Sequence, residues 1–198
     1  MRTVTASAIV VAASLSACAC IQIDHASGKT GTPLTADKAF TTGGRVEMQL
    51  ESGSYQVRSS TDNHVRITTD EHIGDASVDI TTDGTRARVQ TKDTPNKFRA
   101  TIEVPATADL VIHLTAGELV VDAITGNKDI SSNAGDIRVA VGNPDDYASV
   151  DATLKAGDIQ ASAFGGSKSG LMPHFTWSGP GKHSLRADLG AGKLTLRR

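Results

Sequence analysis

Thiols, imidazoles, paired carboxylates and glycine-rich loops are where chemistry would show in this chain. It has two cysteines, Cys18 and Cys20, and none after them. A thiolate can serve as nucleophile or zinc ligand, so the body of the chain is closed to both uses. A Cys18 to Cys20 disulfide would close a strained ring over one residue. The six histidines, His25, His64, His72, His113, His174 and His183, stand singly. No His-x-x-x-His or His-Glu-x-x-His spacing sets two imidazoles on one helix face to hold zinc. Asp145-Asp146, with Asp136, Asp151 and Asp158 nearby, could offer oxygen ligands to calcium. Neither the Asp-x-Asp-x-Asp-Gly loop nor the Gly-Gly-x-Gly-x-Asp nonapeptide is present, and Asn143-Pro144-Asp145-Asp146 reads as a turn. There is no Gly-x-Ser-x-Gly elbow or Ser-x-x-Lys pair to activate a hydroxyl after the first cysteine. Gly165 to Gly170, Gly179 to Lys182 and Gly190 to Lys193 do not fit a phosphate loop, and no helical pattern follows them. The expectation is no catalytic residue, no cofactor and no metal site. The loop at 165–170, bearing Ser and Lys, is the best candidate for a contact surface.

The one chemical signal with a definite address is at the N-terminus. Arg2 precedes an apolar stretch over residues 3–17, too short to span a bilayer and shaped like a secretory signal. Leu15-Ser16-Ala17-Cys18 closes it and resembles the bacterial lipobox. The resemblance implies removal of residues 1–17 and a diacylglycerol on the Cys18 thiol, hence a membrane partner through that lipid. Ala19 after the lipid site is compatible with outer-membrane sorting. Twenty Lys plus Arg against 22 Asp plus Glu leave no basic excess for a phosphate backbone, which excludes nucleic acid as a leading partner.

The elements that must position everything else follow. From Ile21 to Gly44 the composition shifts to Gly, Thr, Ser, Ala and Lys, so 18–44 reads as the lipidated Cys and a flexible tether, the 24 residues 21–44 spanning about 27 Å. Thr35-Ala36-Asp37-Lys38 could start a helical turn that nothing continues. From residue 45 apolar residues alternate with polar ones, the period of half-buried strands. Val46, Met48 and Leu50 lead; Tyr55 with Val57, Val65 with Ile67, Val78 with Ile80 and Ala87 with Val89 follow. Asp83-Gly84 is a hairpin dipeptide, and Phe98, Ala100, Ile102 and Val104 make one more strand before Pro105.

The second half repeats. Ala116-Gly117-Glu118-Leu119-Val120-Val121 recurs from Ala134, from Ala156 and from Ala191, and Gly53-Ser54-Tyr55-Gln56-Val57 is a fainter copy. Glycine permits φ > 0 at a sharp corner, the polar residue after it faces water, and the next apolar residue turns inward. Leu119, Ile137, Ile159 and Leu194 would then stack on successive coils. His174 to Ser178 and Lys182 to Asp188, joined by Gly179-Pro180-Gly181, read as a C-terminal hairpin cap. The fold expected is all-β over 45–198: a β-solenoid or β-roll of short stacked strands, with an antiparallel β-sandwich as the alternative.

The copies at 134–137 and 156–159, then Gly165 to Gly170, Trp177 to Gly181 and Leu189 to Leu196 resemble the bacterial putative-adhesin domain, a family of unknown function. The resemblance covers 98–198 best. It implies a secreted or lipid-anchored protein with a β-solenoid-like fold. The function expected is that of a non-enzymatic cell-envelope lipoprotein displaying a repeat β domain for binding or adhesion to an envelope component, surface or polymer, its partner an unknown envelope protein or polysaccharide. The alternative is a carbohydrate-active enzyme, a polysaccharide lyase or hydrolase, on a β-solenoid. Converging carboxylates and basic side chains on one face would favour the enzyme, and a face of Thr, Ser, Asn and Lys would favour binding.

Overall fold

A computed structural model describes the backbone of residues 22–26 and the whole of residues 33–70 and 75–198. The expected signal sequence over 1–17, the lipobox-like tetrad and the lipidation expected at Cys18 lie outside the described residues. The described chain is all-β, with two short 3-10 turns at Pro144–Asp146 and Ser162–Phe164 and no α-helix.

Fourteen strands carry it. They are β1 (Gln22–Ala26), β2 (Thr35–Ala39), β3 (Arg45–Leu50), β4 (Gly53–Ser60), β5 (His64–Thr69), β6 (Ser77–Thr82) and β7 (Arg86–Lys92). Then come β8 (Arg99–Pro105), β9 (Asp109–Val121), β10 (Lys128–Ala140), β11 (Tyr147–Ala161), β12 (Gly166–Leu171), β13 (His174–Ser178) and β14 (His183–Arg197). The four long strands turn at their Ala-Gly pair, where each glycine has positive φ; they pair with one another along their whole length, and on the outer sides of β9 and β11 the two halves take different partners. The first half of β9 lies beside β3 and the second beside β4, both parallel. A short strand pair such as β3 and β4 is therefore equivalent to one long bent strand. On that basis the described strands form nine rungs, in the order β1/β2, β6/β5, β7/β8, β3/β4, β9, β10, β14, β11 and β13/β12. The six from β7/β8 to β11 run parallel, and antiparallel rungs close both ends.

The register explains the repeat. Gly53, Gly117, Gly135, Gly192 and Gly157 align across neighbouring rungs, and the apolar residue two positions on makes the ladder Tyr55, Leu119, Ile137, Leu194, Ile159, each at most 2% exposed. Gly135 has φ +141, and a Cβ there would lie 1.9 Å from the carbonyl oxygen of Gly117. The corner therefore needs glycine twice over, for its backbone angle and for the close approach of the next rung. The other half of each rung supplies parallel ladders such as Val89, Met48, Ile112, Ile130, Ala187, Ala152, all buried. All these side chains belong to one continuous apolar core.

Three expectations need correction. The fourth repeat copy does not add a coil at the end: β14 inserts between β10 and β11, so Leu194 stacks between Ile137 and Ile159. The C-terminal hairpin cap is absent, because β13 and β14 flank β11 on opposite sides. The cap of the last long rung is instead β12 with β13, so the expected loop at 165–170 is mostly strand. Third, the tether over 18–44 is structured in part. β1 pairs with β6 and β2 with β5, while Leu34, Ala36 and Phe40 enter the core. Thr35 to Lys38 is extended, not helical.

A charge ladder on the outer face fastens β2. Arg66 on β5 reaches Asp37 on β2 at 2.8 Å and Glu103 on β8 at 2.6 Å, and Arg58 on β4 reaches Glu103 at 2.7 Å. Burial opposes ionisation of Glu103 most strongly, but the hydrogen bonds from Arg66 and Arg58 together outweigh it and hold the carboxyl below its ordinary range.

Candidate binding groove

A groove of about 1060 Å³ runs across all six parallel rungs, beside the bend of the long strands. Parallel strands lie about 4.8 Å apart, so six rungs give a track roughly 24 Å long between first and last. Its wall is one outward ladder in register: Gln90, Gln49, His113, Ser131, Asp188, Thr153. Period 2 places these residues outside because their neighbours Val89, Met48 and Ile112 point in. At the bend Glu51, Thr115, Asn133 and Lys155 continue the polar surface, over a floor that includes Leu50, Leu114 and Leu189.

Neighbouring side chains tie the wall together. The Gln90 amide Nε2 donates to Gln49 Oε1 at 2.8 Å, and His113 Nδ1 lies 2.6 Å from Ser131 Oγ. Glu51 accepts the Thr94 backbone N–H at 3.0 Å, and Asp188 accepts from Arg186 Nε at 2.8 Å. Two of the three carboxylates in the groove are thus engaged within the protein, leaving Asp93. What the track offers is a row of amide, imidazole, hydroxyl and carboxylate groups at rung spacing, with the ammonium groups of Lys92 and Lys155 beside it. That is hydrogen-bonding chemistry, suited to an extended polar ligand.

The acidic residues considered for calcium are not brought together. Asp136 and Asp158 face outward on β10 and β11 with Lys193 of β14 between them in register. Asp151 pairs with His174 at 3.1 Å, and Asn143 caps the turn holding Asp145 and Asp146. Among the described residues no three His, Cys, Asp or Glu side chains form a cluster able to hold a metal ion. His113 lies on the outer face as its alternation predicts.

Sequence reasoning missed Lys128. It occupies an inward ladder position between Leu110 and Leu185 and is 1% exposed. Its Nζ donates to the carbonyls of Ile124 at 2.6 Å and Gly126 at 3.1 Å and lies 2.8 Å from the Tyr147 hydroxyl. Burial lowers its pKa to about 8 and raises that of Tyr147 to about 12. With every donor used, Lys128 pins the loop between β9 and β10. The available signal was a lysine where the stacked copies have an apolar residue, visible only once Leu110 and Leu185 are known to be its neighbours.

Fold and groove together define an all-β repeat protein with an extended polar track. No family model matches the chain, and no curated protein does. Among solved structures the chain is similar to a putative cell adhesion protein from Clostridium sporogenes ATCC 15579, at 11% identity over 84% of this chain and 99% of that one, with a TM-score of 0.49.

Proposed function

We propose that the chain is a non-enzymatic lipoprotein of the cell envelope, anchored through a lipid on Cys18, whose β-solenoid-like domain binds an extended polar polymer or surface of the envelope along the groove. The observation that carries this reading is the unbroken outward ladder from Gln90 to Thr153 across six parallel rungs. Its regular spacing suits a polymer whose own repeat presents hydroxyls or amides at a similar interval, as a polysaccharide does. Glycoside hydrolysis needs two carboxylates facing one cleft; Asp188 is the one carboxylate in a ladder otherwise made of Gln, His, Ser and Thr, and that composition supports binding over catalysis. The lipobox supports an envelope location, outer membrane or periplasm-facing.

The test is co-sedimentation of the full chain with insoluble envelope polysaccharide, alongside the His113→Ala/Thr153→Ala double variant. Both positions lie on the groove wall away from the core, so the variant keeps its melting midpoint and loses retention on the polymer. Equal retention of parent and variant would sink the groove as the binding site. Release of new sugar ends during the incubation would overturn the non-enzymatic reading.

A further inference from the structure

We infer that the β1/β2 end of the stack is a membrane-apposed surface, with the first rung held against the bilayer by a leash of three residues between Cys18 and Gln22 instead of raised on a long tether. This rests on the proposed lipidation of Cys18. The structural observation is that Gln22–Ala26 already pairs with β6, residue for residue from Gln22↔Thr82 to Ala26↔Val78. Only four steps of chain separate Cys18 from Gln22. Fully extended, they reach about 14 Å, half the span expected of a flexible segment ending at residue 44.

The occupant of this end is therefore a lipid surface. The chain enters the fold at an end rung and not at mid-stack, and β2 completes that rung, locked by Asp37 to Arg66 at 2.8 Å. The opposite end, β13/β12, lies eight rung spacings away, roughly 38 Å. The groove begins at the third rung and runs outward from the anchored end, so a bound polymer tracks away from the lipid headgroups.

The experiment uses the full chain, lipidated in its bacterial host and reconstituted in phosphatidylethanolamine/phosphatidylglycerol vesicles whose headgroups carry an energy-transfer acceptor. In a Cys20→Ser background, a donor dye is placed at Thr35→Cys on the first rung or at Ser169→Cys on the last; both side chains are exposed. Expected are strong transfer from position 35, weak transfer from position 169, and a clear fall at 35 when twenty Gly/Ser residues are inserted after residue 20. Flotation of the parent and of Cys18→Ser is measured in parallel. If the parent floats but the two positions transfer equally, or the insertion changes nothing, the membrane-apposed end is wrong while the anchor stands. If parent and Cys18→Ser partition alike, the anchor fails and this inference with it.

Discussion

Ile137 and its neighbours show how much each position of the repeat is constrained. Ile137 is fully buried between Leu119 and Leu194, so Ile137→Ala removes buried methylenes and leaves a cavity. The expected cost is about 2–5 kcal/mol. Asp136→Asn, one residue earlier and facing water, should shift a denaturation midpoint little. Gly135→Ala should cost well over about 1 kcal/mol, since the new methyl would meet the Gly117 carbonyl and φ is +141. Equal midpoints across the three variants would rule out the ladder. Lys128 makes a different prediction, about pH. Its pKa is about 8 when folded against 10.5 for an exposed lysine, so between these values the unfolded chain holds more protons. Stability therefore rises with pH across that window. Above pH 10 the two buried tyrosines, Tyr55 and Tyr147, both raised to about 12, act the other way, because the unfolded chain ionises them first. The clean interval is pH 8 to 10. Urea melts there should show the midpoint of the parent climbing relative to that of Lys128→Met, and parallel curves would refute the assignment. Neutral lysine keeps two donors for the Ile124 and Gly126 carbonyls and can accept from the Tyr147 hydroxyl, so losing the charge leaves no partner unsatisfied.

At the scale of elements, the end rungs decide whether the stack stops. β12 is an outer edge, and its Lys168 stands opposite Ile159, in the ladder position held by apolar residues on the rungs behind it. A charge at that register position on an edge strand blocks further pairing, because another strand docking there would have to desolvate the exposed ammonium. Lys168→Ile should restore an apolar row at the open end and produce concentration-dependent association in sedimentation velocity, absent from the parent under the same conditions. Unchanged sedimentation would mean that Lys168 guards nothing. The same strand shows where sequence reading stops. Val46, Met48 and Leu50 betray their strand by alternation, and the Ala-Gly copies betray their corners, since burial on one face imposes both patterns. Gly166–Leu171 has no buried face to impose one: five of its six residues are exposed, so a strand held by backbone pairing to β11 alone looked like a loop. β2 was hidden likewise, with Ala36 its only buried residue and its anchors Leu34 and Phe40 just outside it. The groove was illegible for the converse reason. Gln49, His113, Ser131 and Thr153 each look like ordinary solvent-facing residues, and only the register makes them a row.

For the whole molecule, the order of rungs in space departs from their order in the chain at two places, where β3/β4 inserts between β7/β8 and β9 and where β14 inserts between β10 and β11, and the second governs cooperativity. Repeat motifs identify which segments are equivalent without saying which are adjacent, so the copies at 116, 134, 156 and 191 suggested a simple succession. In a simple succession each coil touches its sequence neighbours, and losing the last one costs a single interface. Here β14, the last strand, hydrogen-bonds to β10 on one side and β11 on the other. Without it those rungs would face each other across two spacings, about 10 Å, too far to pair. β14 also buries Leu185, Leu189, Leu194 and Leu196. At roughly 1.5–3 kcal/mol each, four leucines amount to as much as a typical domain's entire net stability of about 5–15 kcal/mol. Translation delivers β11, β12 and β13 before the strand that joins them to the rest, so their final docking must wait for β14. A chain ending after Gly181 should therefore lose its cooperative thermal transition, with the 147–181 region becoming protease-sensitive first. A truncated chain that still melted cooperatively, with only a modest fall in midpoint, would show that β10 and β11 can close on each other and that β14 is a dispensable coil.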